Sequence, residues 1–158
     1  MPMLQALKEL FDSLSPVDED RRREQEMEHI RLALAVLLLE VTRVDTAEGG
    51  ARERDAVKAA LQKRFSLGEE ALKALMEQAE QETRGLYDYQ HFTSLLNEHF
   101  THPQKIAVVE SMWGVAYADA RLDANEIHLI GKIAALLYVT QGEYIGAKMR
   151  AKESAGLL

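Results

Sequence analysis

The chain contains no cysteine and only three prolines among its 158 residues. Without cysteine it forms no disulfide, has no thiol nucleophile and offers no thiolate ligand to zinc. This absence fits a reducing compartment, and we expect a cytoplasmic protein. Two of the prolines, Pro2 and Pro16, lie near the start, so the rest of the chain is free to form long helices.

Long hydrophobic runs are also missing. The longest covers residues 32–39, and these eight residues are too few to cross a bilayer, which takes about 20. The first residues lack a basic stretch and a continuous apolar core, so we predict neither a signal peptide nor a transmembrane segment.

Basic residues are outnumbered by acidic ones, 19 Lys and Arg against 26 Asp and Glu, so the formal net charge is −7. The one dense basic run, residues 21–23, is flanked on both sides by acidic residues that cancel its field. A protein of this charge repels the phosphate backbone, so we expect no nucleic-acid partner.

Motifs of known enzyme classes are absent. The sequence contains no G-x-S-x-G, no phosphate-binding loop, no H-E-x-x-H and no dinucleotide-binding glycine pattern. We therefore predict that the protein is not an enzyme. The remaining catalytic alternative uses Glu40, a carboxylate within an apolar helix, together with Asp119. Glu40 is otherwise expected to be partly exposed or paired with Arg43 or a lysine.

Apolar residues with helical spacing dominate what is present. The pattern predicts an amphipathic N-terminal helix over residues 3–14, which docks on its own domain or on a partner, and then a linker or loop. Further helices are predicted over residues 24–44, 51–65, 67–83, 89–100, 102–118, 124–137 and 141–152. The most apolar of them, residues 24–44, should lie at the centre of the domain. No strand is predicted.

An internal repeat organises these helices. Residues 34–45 align with residues 108–119, and further on Glu53 aligns with Glu126. Each copy is three helices, and the helix over residues 89–100 joins the copies. We predict an all-α, single-domain bundle of about seven to eight helices with a pseudo-two-fold repeat of three-helix units. The predicted segments are 1–23 (N-terminal helix and linker), 24–153 (helical domain) and 154–158 (frayed tail).

Capping boxes mark several predicted helix starts, because a Ser, Thr or Asp is followed three residues later by Glu or Gln. The pairs are Ser66 with Glu69, Thr101 with Gln104, Asp123 with Glu126, and Thr140 with Glu143, and Asp88 is a further predicted cap. Aromatic residues at helical spacing in the second copy are predicted to pack in the core or at its rim. These are Trp113, Tyr117, Tyr138 and Tyr144.

Acidic turns follow the most apolar helix of each copy. The candidate residues are Asp119, Asp123 and Glu126 in the second copy and Asp45, Glu48 and Glu53 in the first. Their carboxylates are oxygen ligands of the kind that calcium and magnesium prefer, and the same residues are candidates for a partner-binding surface. An EF-hand is excluded, because Ala124 stands where its glycine should be and Ile130 where its bidentate glutamate should be.

Helix capping explains Asp123 and Glu126 without any ligand. Asp119 is different, because a carboxylate at the end of a helix faces the negative end of the dipole. Asp119 and its counterpart Asp45 are therefore the strongest candidates for a specific role.

The second copy carries the pattern W-x-V-A-Y-A-D-x-x-L-D-x-x-E, as Trp113, Val115, Ala116, Tyr117, Ala118, Asp119, Leu122, Asp123 and Glu126. With these motifs, residues 25–150 resemble the tellurite-resistance TerB-like family, in particular its short, stand-alone, uncharacterised bacterial branch. The family's usual turn, A-D-G-x-x-D-x-x-E, has a glycine where this chain has Thr46 and Ala120.

The resemblance implies an all-helical fold with an acidic surface and no known catalytic activity. It also implies an adaptor role in stress or tellurite-resistance systems, with protein partners that include membrane-associated complexes. We therefore predict a non-enzymatic interaction module without a cofactor, and a homodimer is one alternative assembly. The alternative function is a divalent-cation sensor that uses the same loop carboxylates.

Overall fold

The computed structural model describes residues 16–43, 50–84, 88–119 and 122–157. Within these ranges the chain forms seven α-helices, one short 3-10 helix and no strand, which confirms the predicted all-α fold. The helices are α1 (Pro16–Arg43), α2 (Gly50–Phe65), α3 (Glu69–Thr83), α4 (Gln90–His99), α5 (His102–Ala116), the 3-10 helix (Tyr117–Asp119), α6 (Ala124–Leu136) and α7 (Gln141–Ser154). The predicted helix over residues 3–14 lies outside the described residues.

Helix α1 begins at Pro16, well before the predicted start at residue 24. The prediction of a linker or loop is therefore wrong from Pro16 onward. Proline suits the first position of a helix, because its φ is already helical and its missing N–H would have no partner there. Glu19 and Asp20, which follow, carry negative charges of the sign that the helix dipole favours near this end. The predicted boundary between residues 23 and 24 falls within this helix, and the division into segments stays a prediction.

Helix α1 has two halves with different surroundings. Every residue in the range 19–29 is exposed, whereas the range 33–41 is buried throughout. The buried half contacts helices on all sides, since α1 packs against α2, α3, α4, α5 and α6. The predicted position of this helix at the centre of the domain is thus confirmed for its second half.

The two helix triplets make matching contacts. In the first, α1 packs against α2 and α3, and in the second, α5 packs against α6 and α7. Between the triplets α1 contacts α5, while α2 contacts α5 and α1 contacts α6. Helix α4 bridges them by packing against α1 and α6. The contacts follow the order of the sequence repeat, and the pseudo-two-fold axis itself stays a prediction.

Most predicted caps are present. Complete capping boxes precede α5, α6 and α7, and the Asp88 Oδ1 atom accepts a hydrogen bond from the Gln90 N–H at 2.9 Å. The predicted box at Ser66 is wrong. Ser66 ends α2 in a left-handed conformation (φ 51°), and its N–H donates to the Gln62 carbonyl at 2.8 Å. Helix α3 starts later, after Gly68, without a side-chain cap.

An aromatic cluster joins α5, the 3-10 helix and α7. The Trp113 ring is fully buried and lies 5.8 Å from the Tyr117 ring and 5.5 Å from the Tyr144 ring, measured between centroids. Burial raises the pKa of Tyr117, and burial followed by the nearby Tyr117 raises the pKa of Tyr144. Tyr138 is different, since 72% of it is exposed at the surface.

Candidate functional site

The second acidic turn is fixed by a capping box before α6. The Asp123 Oδ1 atom accepts a hydrogen bond from the Asn125 N–H at 2.9 Å, and the Glu126 Oε1 atom accepts one from the Asp123 N–H at 3.3 Å. Glu126 is completely buried. The predicted capping roles of Asp123 and Glu126 are therefore confirmed, and each residue uses a carboxylate oxygen to hold the turn.

Asp119 ends the 3-10 helix that leads into this turn. The 3-10 helix packs against both α5 and α2. The 3-10 helix that precedes the second turn is thus held against α2, the helix that follows the first turn. The side chain of Asp119 lies outside the described part of the structure, so its predicted role is untested.

Of the candidate residues of the first acidic turn, Glu53 is the one that the structure describes. It lies in the first turn of α2 and, like Glu126 in α6, is completely buried. Both glutamates make polar or electrostatic interactions within the chain. Their burial removes Glu53 and Glu126 from the surface that a partner could touch. Asp45 and Glu48 lie outside the described residues, and their predicted roles stay predictions.

Glu40 is buried at the centre of the bundle. Its side chain is fully inaccessible, and its Oε2 atom accepts a hydrogen bond from the Tyr89 hydroxyl at 2.9 Å. The Lys132 Nζ atom lies 5.4 Å from the centroid of the Tyr89 ring. Glu40 is therefore not partly exposed, and the side chain of Arg43 is not described. Sequence reasoning missed Tyr89 as a partner.

A small concavity of about 360 Å³ opens beside Tyr89. Asn125, His128 and Lys132, all exposed residues of α6, line it together with Tyr89. The concavity contains a cation and a histidine but no described carboxylate. Among its lining residues it therefore lacks the carboxylates that usually anchor a hard divalent cation.

Whether a metal ion could bind depends on which possible ligand side chains lie close together. Among the described residues, no group of three or more His, Asp or Glu side chains could hold a metal ion. Of the predicted ligands, Glu53, Asp123 and Glu126 are covered by this test, whereas Asp45, Glu48 and the side chain of Asp119 fall outside it. The prediction of a cation site at the paired turns is neither supported nor contradicted by this observation.

A groove lies between α2 and α5, and we call it the α2–α5 groove. Its volume is about 780 Å³. Its lining comes from α1, α2, the end of α4 and α5 and includes Met27, Ile30, Ala56, Ala59, Ala60, Lys63, Arg64, His99, Ala107, Ser111 and Gly114. Sequence reasoning missed this groove, because its two walls come from different copies of the repeat.

A hydrogen bond connects the first turns of α5 and α7. The His102 Nε2 atom lies 2.8 Å from the Glu143 Oε1 atom. The backbone N–H of Thr140, then His102, then the Thr140 hydroxyl lower the pKa of Glu143 from 4.5 to about 2. Glu143 therefore remains a carboxylate throughout the neutral and mildly acidic range.

The comparison of the chain with protein families gives a match. The family model described as tellurite resistance protein TerB matches residues 31–149. The chain belongs to the TerB family. The match starts at the buried half of α1 and ends in α7, so it covers both helix triplets and both acidic turns.

Two other comparisons give no further relatives of this TerB domain. No curated protein matches the chain, and no solved structure matches it. Among the described helices, none combines the length and the apolar character that a membrane span requires.

Proposed function

We propose that this TerB domain is a non-enzymatic adaptor that binds a protein partner through an acidic surface formed by its two turns. The packing of the 3-10 helix against α2 carries the proposal, because it brings the backbone of Asp119 close to the helix that follows the first turn. Two acidic turns that are distant in sequence would then present one surface.

In this proposal the two buried glutamates hold the acidic surface in place and do not contact the partner themselves. Glu53 and Glu126 occupy the first turns of α2 and α6 and are inaccessible to a partner. We therefore assign partner contact to Asp45, Glu48 and Asp119, and to the exposed side of Asp123. The partner would carry a basic surface, because charge complementarity steers association and selects partners.

The description of the family supports a role in tellurite resistance. A cytoplasmic location and a membrane-associated complex as the partner are part of the same proposal. A triple substitution, Asp45→Asn with Glu48→Gln and Asp119→Asn, tests the surface. The full-length chain is immobilised and used to capture proteins from the native cell, and these are quantified by mass spectrometry. We expect capture of the specific partner to fall at least about tenfold, as loss of about 1.4 kcal/mol of binding energy would produce.

A matched control changes the same number of exposed acids away from the turns, with Glu77→Gln, Glu82→Gln and Glu153→Gln. The three residues are exposed on α3 and α7. Capture should be unchanged in this control, and both variants should melt like the parent protein. Equal loss in both triple variants would mean that overall charge, and not the turns, drives the capture.

A divalent-cation sensor is the second candidate, and the packing of the 3-10 helix against α2 favours it as well. Calcium takes about six to eight oxygen ligands, and carboxylates from two turns would supply more of them than those of one turn. Calcium or magnesium is titrated into the full-length protein, and the backbone amides of Asp45 and Asp119 are followed by NMR. Shifts at up to millimolar ion that disappear in Asp45→Asn support the sensor. An unchanged spectrum rejects it and leaves the adaptor proposal intact.

A further inference from the structure

The basic residues of the α2–α5 groove lie at one of its ends. Lys63 and Arg64 are exposed in the last turn of α2, and His99 is exposed in the last turn of α4. These two helix ends meet, because the Arg64 guanidinium lies 4.9 Å from the centroid of the Phe100 ring. No other residue of the described lining is basic. We call this part of the groove the basic end.

Small residues line the groove beyond the basic end. Ala56 and Ala59 lie on the α2 side, and Ser111 and Gly114 lie on the α5 side. A Cβ atom built at Gly114 would meet no neighbouring atom within 4 Å, so the groove is open there. Along α5 the lining extends over residues 104–115, which is about 16 Å at a rise of 1.5 Å per residue.

Larger apolar side chains are accessible in the same groove. Met27 of α1 is 42% exposed, and Phe65 and Phe100 are only partly buried against the core. A ligand that covers these side chains removes apolar surface from water, which favours binding.

The acidic residues near the groove have partners of their own. Glu110 lines the groove, and its Oε1 atom accepts a hydrogen bond from the Arg150 Nε atom at 2.5 Å. The Glu98 Oε2 atom lies 4.0 Å from the His99 Nε2 atom. Lys63 and Arg64 are therefore the main charges that the basic end presents to a ligand.

We propose that the α2–α5 groove binds a small amphipathic anion, that is, a flexible apolar chain with one anionic head group. The head group pairs with Lys63 and Arg64, and the apolar chain extends from Phe65 and Phe100 toward Gly114. The volume of the groove, about 780 Å³, suits such a molecule. Ligand sites of proteins are concave and mostly apolar, with a few polar groups that orient the ligand.

The position of the charges favours this ligand over a helix of a partner protein. An amphipathic helix carries charged residues along the whole length of its apolar stripe, so it requires complementary charges along the whole groove. A ligand with a single head group requires them at one end, where Lys63 and Arg64 lie. Both side chains donate charge-assisted hydrogen bonds to anionic oxygen atoms.

Isothermal titration calorimetry of the full-length protein with decanoate, below the concentration at which it forms micelles, tests the proposal. One decanoate should bind per chain. Decanol has the same apolar chain and an uncharged head group, and it should bind at least about tenfold more weakly because it forms no ion pair. Acetate has the head group alone, and it should show no binding at the same concentration, because the apolar chain supplies most of the affinity.

A pair of matched double variants tests the basic end. Lys63→Gln with Arg64→Gln removes its two main charges. Lys73→Gln with Arg84→Gln removes one lysine and one arginine from exposed positions in α3 and directly after it. The affinity for decanoate should fall at least about tenfold in the first double variant and stay unchanged in the second.

A pair of single variants tests the path of the apolar chain. Gly114→Leu fills the groove away from the basic end, and Gly142→Leu adds the same side chain in α7, where a Cβ atom also meets nothing within 4 Å. Decanoate should bind at least about tenfold more weakly to Gly114→Leu and as tightly as before to Gly142→Leu. Thermal unfolding verifies that every variant is folded.

Several outcomes would overturn the proposal. Absence of decanoate binding would reject it, and a dimer that Gly114→Leu dissociates would then assign the groove to a second copy of the chain. Equal affinity for decanol would show that the charges do not contact the head group. Equal loss in both double variants would indicate diffuse attraction, and unchanged binding to Gly114→Leu would place the ligand elsewhere. None of these variants alters the acidic turns, so the outcomes are independent of the adaptor proposal.

Discussion

Tyr138 adopts a left-handed backbone conformation directly after α6, with φ 61°. The conformation ends the helix, because the Val139 N–H donates to the Ala134 carbonyl at 3.0 Å. Glycine adopts it without the clash between Cβ and the carbonyl oxygen that other residues suffer. A tyrosine at this position therefore retains backbone strain that a glycine would relieve.

We expect Tyr138→Gly to be more stable than Tyr138→Ala by about 1 kcal/mol. Both variants lose the contact between the Tyr138 ring and the Lys105 Nζ atom, which lies 5.6 Å from the ring centroid. The comparison therefore isolates the backbone conformation. Urea unfolding measures the difference, and equal stabilities would show that residue 138 does not keep this φ in solution.

Glu143 couples the stability of the protein to acidic pH. Its pKa is about 2 in the folded chain against an ordinary value of 4.5. A lowered pKa means that the ionised carboxylate stabilises the fold fully above about pH 4.5, and that this stabilisation is lost as pH falls toward 2. The responsible contacts are the hydrogen bonds from Thr140 and His102.

The difference in unfolding free energy between the parent protein and Glu143→Gln should therefore be largest at neutral pH and shrink below about pH 4.5. Guanidinium unfolding at several pH values measures it. Glu153→Gln, at an exposed position in the last turn of the same helix, serves as the control for the removal of one negative charge. A constant difference for Glu143→Gln would contradict the assignment.

At the scale of the helix, the two halves of α1 should respond differently to truncation. Leu37 is completely buried where α1 meets the other helices, whereas Gln25 is exposed. Leu37→Ala should lower the unfolding free energy by about 2–5 kcal/mol, because it removes buried contacts and leaves a cavity. Gln25→Ala should change it by no more than about 0.5 kcal/mol.

Urea unfolding followed by the fluorescence of Trp113, the single tryptophan, suits both variants. A large loss of stability in Gln25→Ala would mean that the exposed half of α1 packs against another part of the protein. That result would contradict the exposure of this half in the structure.

Most helices could be predicted from the sequence because their signals are local. Apolar spacing places a helix, and a capping box lies within four residues of its start, as at Thr101 and Asp123. The predictions fail where one residue type is compatible with two different structures. Pro16 lies in the predicted linker or loop but begins a helix. Ser66 is a predicted N-cap but ends the preceding helix.

The site was less predictable, because its contacts join distant parts of the chain. Tyr89 and Glu40 are 49 positions apart in sequence, and neither residue type indicates the other. The α2–α5 groove has the same character, since its walls belong to different helix triplets. The burial of Glu53 and Glu126 could not be predicted from the sequence either, because a glutamate that caps a helix is usually compatible with an exposed position.

For the molecule as a whole, a single core predicts a single unfolding transition. The buried apolar residues form one cluster with members from every described α-helix. Unfolding curves from Trp113 fluorescence and from far-ultraviolet circular dichroism should therefore coincide. Circular dichroism that falls before the fluorescence changes would show that the first helix triplet unfolds separately from the second.

The exposed half of α1 also fixes the direction in which the chain before it departs. An α-helix turns about 100° and rises 1.5 Å per residue, so its residue count sets a rotational phase. Inserting one alanine between Gln25 and Glu26 would rotate the residues before the insertion by about 100° around the axis of α1. Inserting seven would nearly restore the direction while moving it about 10 Å further out. The number of residues in this half therefore sets the angle at which the preceding chain leaves α1. Residues 19–29 are all exposed, so no buried contact of theirs restricts that number.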